Sequence, residues 1–244
     1  MIAFELAVQD AHGLHVATRL RVDRVELCSA LALGGVTPSF GLLDAAVSTP
    51  GAPPMHVLVR PRPGDFGYAP DELAIIVRDV RHAVAAGAAG VVVGGVRDGQ
   101  VDTDLVERVI DAAGGASVTF HRAFDLLADP EKAIETLLGL GVRRILTAGG
   151  PTTVGDSLPG LAHLVAVAGG RLEVMAGGGV RADLIEPLVR LGVPAVHASA
   201  KHTVPDAAAL TLGTAAQGES GRETTDEHEV ERIHAALRAA GARP

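Results

Sequence analysis

Five ionisable residues stand where acid–base or anion chemistry would need them: Glu5, Glu26, Arg60, His121 and His197, with Cys28, Thr147 and Ser199 alongside. Each falls in, or just after, a short run of β-branched and aliphatic residues. The clearest case is Val118-Thr119-Phe120, followed at once by His121 and Arg122. A histidine so placed suits proton transfer near neutral pH. Two carboxylates on adjacent strands split into an acid and a base when burial raises one of their pKa values. Glu5, Glu26 and His121 are therefore the acid–base candidates, and Arg60 would hold or polarise an anionic oxygen. Burying unpaired charge is costly, so these groups must pair or face a wet pocket. Two arrangements remain open: an internal Glu–Arg network that holds the fold closed, or a polar pocket for an anionic molecule.

A second group of residues points to an anion. Gly177-Gly178-Gly179 precedes a helical pattern, and Ser199, Lys201 and His202 follow the last apolar run. Bare backbone N–H groups beside a helix start form a phosphate site, though three glycines also make a plain tight turn. Arg62 and Arg122 are candidate neighbours of this anion. Cys28 is the single cysteine. Its thiolate would suit Cu(I), and Met175 offers a thioether, but the residues alone favour a buried, inert thiol. No His–carboxylate cluster has zinc-like spacing, and nothing indicates a nucleotide cofactor.

What must position these groups is a repeated unit of apolar strand, polar strand end and helix. The strands are Phe4–Val8, Arg24–Cys28, His56–Arg60, Gly90–Gly94, Val118–Phe120, Arg144–Thr147, Glu173–Ala176 and Ala195–Ala198. The second helix follows the loop Leu33–Leu43. Other helices are read at Ala11–Arg19, Asp71–Ala86, Thr103–Ala113, about Gly160–Ala168 and Asp226–Ala240. One begins at Asp129 or Pro130 and ends at Gly141, and another opens at Gly177–Arg181. Eight such units in 244 residues match an α/β fold, a single TIM-type (β/α)8 barrel over residues 1–244. A doubly wound sheet fits the count less well. In a barrel the carboxyl ends of the strands carry chemistry, so each polar strand end contributes to one site. The polar segment Ser199–Thr225 reads as a long structureless stretch, unusual within a compact domain.

Composition excludes several classes. The net charge is −8, and Lys132 and Lys201 are the only lysines, which argues against nucleic-acid binding. Apolar runs such as Ala83–Val93 are broken by glycine and fall short of the roughly 20 residues of a membrane span. The amino terminus enters a strand directly, without the charged and apolar regions of a secretory signal. The expectation is a cytoplasmic protein with a small anionic ligand or Cu(I) as partner, compatible with a homodimer or higher homo-oligomer.

Seven segments together resemble the CutC family, named for copper homeostasis: Arg24–Ser29, Gly34–Leu42, Arg60–Phe66, Val118–Asp125, Arg144–Gly150, Gly177–Val180 and His197–Lys201. The resemblance implies an α/β barrel, a cytoplasmic location and a role in copper handling or Cu(I) binding. It also implies that cysteines carry the metal, with Cys28 at the matching position. Ala7 and Ala198 stand where some members carry cysteine. Two hypotheses follow. One is a copper-homeostasis protein that binds copper weakly, across a subunit contact. The other is a barrel enzyme, lyase- or isomerase-like, acting by acid–base chemistry on an anionic, phosphorylated or carboxylated small molecule.

Overall fold

The computed structural model describes residues 1–150, 152–205 and 221–243. Eight parallel strands close into a barrel: Ala3–Val8, Arg24–Leu27, Met55–Leu58, Gly90–Val93, Ser117–Phe120, Arg144–Thr147, Glu173–Gly177 and Ala195–Ala198. The first strand pairs with both the second and the eighth, which is the closure expected of a (β/α)8 barrel. Helices α1 (Ala11–Leu20), α2 (Phe40–Ser48), α3 (Pro70–Ala85), α4 (Thr103–Ala113), α5 (Pro130–Leu140), α6 (Leu158–Ala168), α7 (Ile185–Leu191) and α8 (Glu227–Ala239) surround it.

Local sequence accounts for most helix ends. Asp10, Asp102, Asp129 and Asp226 each accept a backbone N–H of the first turn of α1, α4, α5 and α8. Such caps contribute about 1 kcal/mol each. In α5 the proline at the first helical position and Gly141, at φ 89°, set both ends, because proline needs no N–H there and glycine tolerates the left-handed turn.

Side chains alternate across each strand. Phe4, Leu6, Val8, Val25, Leu27, Val91, Val93, Val118, Phe120 and Ile145 belong to one large apolar core against the helices. The opposite set fills the barrel. Two small apolar patches lie there, Cys28–Leu58–Val92 and Leu146–Met175–Ala195. Thr147 has the outward parity of Ile145. Its hydroxyl bonds Asp125 instead of joining the barrel interior, a correction to its expected inward placement.

Other interior positions carry charged and polar side chains. Arg24 donates to Glu5 at 3.0 Å and to Glu173 at 2.9 Å. Arg144 grips Glu173 with two bonds, at 2.7 and 3.0 Å, and reaches Thr119 at 3.0 Å. Its guanidinium also stands 3.5 Å from His56 Nδ1. The internal Glu–Arg network raised by the sequence is therefore present, and it draws on four residues not picked out as candidates: Arg24, Arg144, Glu173 and His56.

Two expectations about the carboxyl ends of the strands are corrected. Gly178 and Gly179, at φ 111° and 83°, lead into a short 3-10 turn, Ala182–Leu184, and only then into α7. The triple glycine thus does not open a helix directly. After the eighth strand, Lys201–Pro205 pairs antiparallel with Gly221–Thr225, where an unstructured stretch was expected; residues 206–220 of that stretch lie outside the described residues. Gln9 donates to the Glu223 carbonyl and Thr224 donates to Asp10, so this ribbon is fastened beside the end of the first strand.

Removing one partner of a buried ion pair leaves the other charge uncompensated, at a cost of about 3–5 kcal/mol. Arg24→Leu strips the fully buried Glu5 of its guanidinium, and a loss of that size is expected in urea denaturation. A loss below about 1 kcal/mol would show that the network does not hold the barrel.

Candidate active site

At the carboxyl ends of the strands lies a cavity of about 270 Å³. Glu26, Arg60, His121, Arg122, Gly178, Gly179, His197, Ser199 and Lys201 line it, with Ala7, Phe66 and Ala198 among the apolar wall. Residues from strands two, three, five, seven and eight thus converge, as strand-end chemistry requires. Glu5, Arg62, Gly177 and Cys28 do not line the cavity.

Glu5 lies beneath the cavity floor, fully buried. It accepts from Arg24 and faces His197 Nδ1 at 2.9 Å. Burial alone would push its carboxyl up, but the His197 hydrogen bond and the charges of His197 and Arg24 outweigh this and hold it at about 2. Glu5 is an anchor, not the acid–base group expected of it. His197 stands between two carboxylates, with Nε2 3.8 Å from Glu26. Burial opposes its positive charge, but Glu26 and Glu5 together raise its pKa above the usual histidine value. Glu26 is the opposite case. Burial, reinforced by the Glu5 charge, lifts it to about 7 despite the pull of His197. Two carboxylates on adjacent strands therefore separate widely in acidity, and the one open to the cavity is poised for proton exchange near neutrality.

His121 is also buried in the wall. Its Nδ1 accepts the Ala123 N–H at 3.1 Å, while Nε2 has no partner among the described residues. Burial and the Arg60 charge lower its pKa to about 3, so the ring is neutral and unsuited to act as a base near pH 7. Arg60 spans the loops, donating to Leu33 O, Gly35 O and Gly64 O at 3.1, 2.8 and 2.8 Å.

At the other wall Arg122 is paired with Asp125 at 2.8 Å and donates to Thr152 O. Gly178 makes room for it: a Cβ there would lie 2.9 Å from the guanidinium carbon. Lys201 is paired with Glu223 at 2.7 Å. Gly177 serves packing, since a Cβ there would collide with Leu146. Arg62 turns outward to Glu72, Asp65 and the face of Tyr68, because its own loop and the first turn of α3 supply those partners.

The donor set does not fit Cu(I). Cys28 is wholly buried, its Sγ 3.6 Å from the Val8 carbonyl. Burial, with the Glu26 charge, pushes the thiol well above its usual pKa, whereas metal binding needs the thiolate. Met175 Sδ takes an Arg24 N–H at 3.4 Å and sits in the other apolar patch. The metal-type cluster among the described residues is Glu5, Glu26 and His197, whose ligand atoms lie within 4.8 Å of one another. These are oxygen and imidazole donors that suit harder divalent ions, and Arg24 already neutralises Glu5.

Sequence reading named His197 only as an inward-facing group and missed Arg24 altogether. The alternation Arg24, Glu26, Cys28 was the available signal, because residues two apart share a face.

His56, His121 and His234 are held neutral by burial, to about 4, 3 and 4 against an ordinary 6.5. Below pH 6.5 the unfolded chain binds these protons and the fold does not, so their contribution is full above 6.5 and lost on acidification. Glu26, raised to about 7, works oppositely between its ordinary 4.5 and 7. Three histidines outweigh it, so stability should fall from pH 6.5 to 4.5 by roughly 1–3 kcal/mol per pH unit. Urea denaturation at pH 7 and pH 5 checks this; equal stabilities would contradict the neutral state of the histidines.

Comparison with known proteins agrees with this architecture. The CutC family profile matches residues 2–202. A CutC protein of Rhizobium meliloti (strain 1021) is 39% identical, covering 99% of this chain and 98% of its own. One from Klebsiella pneumoniae is 44% identical over 84% and 83% of the two chains. The solved CutC structure from Streptococcus agalactiae, provisionally described as a copper homeostasis protein, superposes with a TM-score of 0.78 at 32% identity, covering 82% of this chain and 99% of that one. A 3-hexulose-6-phosphate synthase from Salmonella typhimurium shares the barrel fold at 16% identity, with a TM-score of 0.61 and coverage of 98% and 100%. No helix among the described residues is long and apolar enough to cross a membrane.

Proposed function

The chain belongs to the CutC family, and from the geometry of its barrel mouth we propose that it is an acid–base enzyme acting on a small anionic molecule. The observation that carries this reading is the placing of the Glu26 carboxyl, buried yet lining the cavity 3.8 Å from the His197 imidazole, where burial raises its pKa to about 7. A carboxyl with that pKa is populated in both protonation states near neutral pH, as a general acid–base group needs. Glu26 is the exchanging group. His197, oriented through Nδ1 by Glu5, stabilises the carboxylate after it gives up its proton. The anion lies against the Gly178–Gly179 turn, Ser199 and Lys201, with Arg122 behind them. Among the described residues, no side chain of the cavity is an activated nucleophile, so proton transfer, as in isomerisation or elimination, is the reaction class the residues support.

Screening phosphorylated and carboxylated metabolites by thermal shift, then following turnover of the hits by NMR, tests this reading. Glu26→Gln should lower kcat at least 100-fold while leaving ligand affinity within a few-fold. The wild-type kcat/KM should titrate near pH 7. Undiminished turnover in Glu26→Gln, or no anionic ligand at all, would overturn it.

A role in copper homeostasis is the second reading, supported by the family's name and the description of the S. agalactiae relative. Direct handling would have to use Cys28, the single thiol. Given its burial, an anaerobic Cu(I) competition titration should show weak binding, equal in wild type and Cys28→Ala. Tight binding lost in the variant would restore the direct role.

A further inference from the structure

Arg60 and Arg144 are buried in the barrel and Arg24 is largely so, and Arg60 differs from the other two. Arg24 and Arg144 each hold carboxylates. Arg60, only 5% exposed, donates to three neutral backbone carbonyls, and among the described residues it has no carboxylate partner and its Nε–H is unpaired. A buried guanidinium without a counter-charge is costly, and this one lines the cavity.

His121 presents a matching vacancy in hydrogen bonding. Because Nδ1 accepts the Ala123 N–H, the ring proton resides on Nε2, which is buried and without a partner among the described residues. Both unsatisfied groups are therefore donors. They are also neighbours of one side chain: the Phe66 ring centroid lies 5.1 Å from the Arg60 guanidinium carbon and 4.8 Å from the His121 ring centroid. Two N–H donors, one of them charged, bordering the same aromatic ring call for an acceptor that carries negative charge. At the opposite wall Arg122 and Lys201 each already have a carboxylate partner, Asp125 and Glu223, so an anion there shares its cations whereas one at Arg60 would not.

We propose that Arg60 and His121 form a carboxylate subsite under Phe66, so that the ligand has two anionic ends: a carboxylate here and a phosphate at the Gly178–Gly179 turn. This rests on the anion reading above and specifies the ligand class. The Arg60 Nε–H and His121 Nε2–H donate to the carboxylate oxygens once Phe66, which borders both side chains, turns aside.

Isothermal titration with two probes tests the subsite: 2-phosphoglycolate, which has phosphate and carboxylate, and glycerol 1-phosphate, which has phosphate alone. Wild type should bind phosphoglycolate at least tenfold more tightly. His121→Leu should bring that ratio close to one without weakening glycerol phosphate, and His121→Gln, whose amide can donate, should restore most of it. In wild type, the His121 Nε2–H resonance should move on adding phosphoglycolate but not glycerol phosphate, a readout that needs no variant to fold. Equal affinity for the two probes, or an unmoved resonance, would overturn the subsite and leave the anion reading standing. Binding of neither probe would overturn both.

Discussion

The Glu5 carboxylate, wholly buried, joins the two halves of the barrel interior. On one side Arg24 ties it to Glu173 and Arg144, and on the other it fixes the His197 ring. An imidazole facing two carboxylates has several orientations open to it, and a hydrogen bond at one nitrogen selects among them. Glu5 makes that selection at Nδ1, which turns Nε2 toward Glu26. The unusual acidity of Glu26 follows, because it is buried with an imidazole too far for a hydrogen bond and a second carboxylate nearby. Without Arg24 beneath it, Glu5 would compete with Glu26 for the same positive charge.

The two arrangements that the sequence left open are stacked, not exclusive. Ionic pairing occupies the interior beneath the mouth, and the pocket sits above it. Buried ion pairs alone are weak evidence of stability, because desolvation offsets much of the attraction. Here they supply a rigid polar floor, and the helices outside supply the apolar burial that holds the fold.

Much of this was legible. Strand alternation placed Glu5 and Glu26 inside, the run ending at His121 marked a strand end, and Asp129, Pro130 and Gly141 bounded a helix. Arg24, His56, Arg144 and Glu173 escaped notice because they stand at strand beginnings, where a barrel offers no chemistry. Their partners depend on how the strands are staggered, which no single segment states. Arg60 and Arg62 have identical chemistry and are two residues apart, yet one turns inward and the other pairs with Glu72 and Asp65. The path of the 61–67 loop decides this, and proline and glycine in its sequence indicate only that a turn exists. Cys28 read as a buried thiol because it is the single cysteine and Ala7 stands beside it on the first strand, and it is indeed buried. The ribbon after the eighth strand was missed because its two strands are separated in sequence by residues 206–220.

The charged interior also makes strand alignment self-checking as the chain folds. Successive side chains point to opposite faces, so sliding the second strand by one residue would drive Arg24 and Glu26 into the apolar layer beneath the helices. Sliding it by two keeps them inside but parts Arg24 from both Glu5 and Glu173. An all-aliphatic barrel would distinguish those alignments only by shape, whereas here each misalignment leaves an unpaired charge out of water. The same residues that prepare the pocket for a proton thus also specify which barrel the chain can close into.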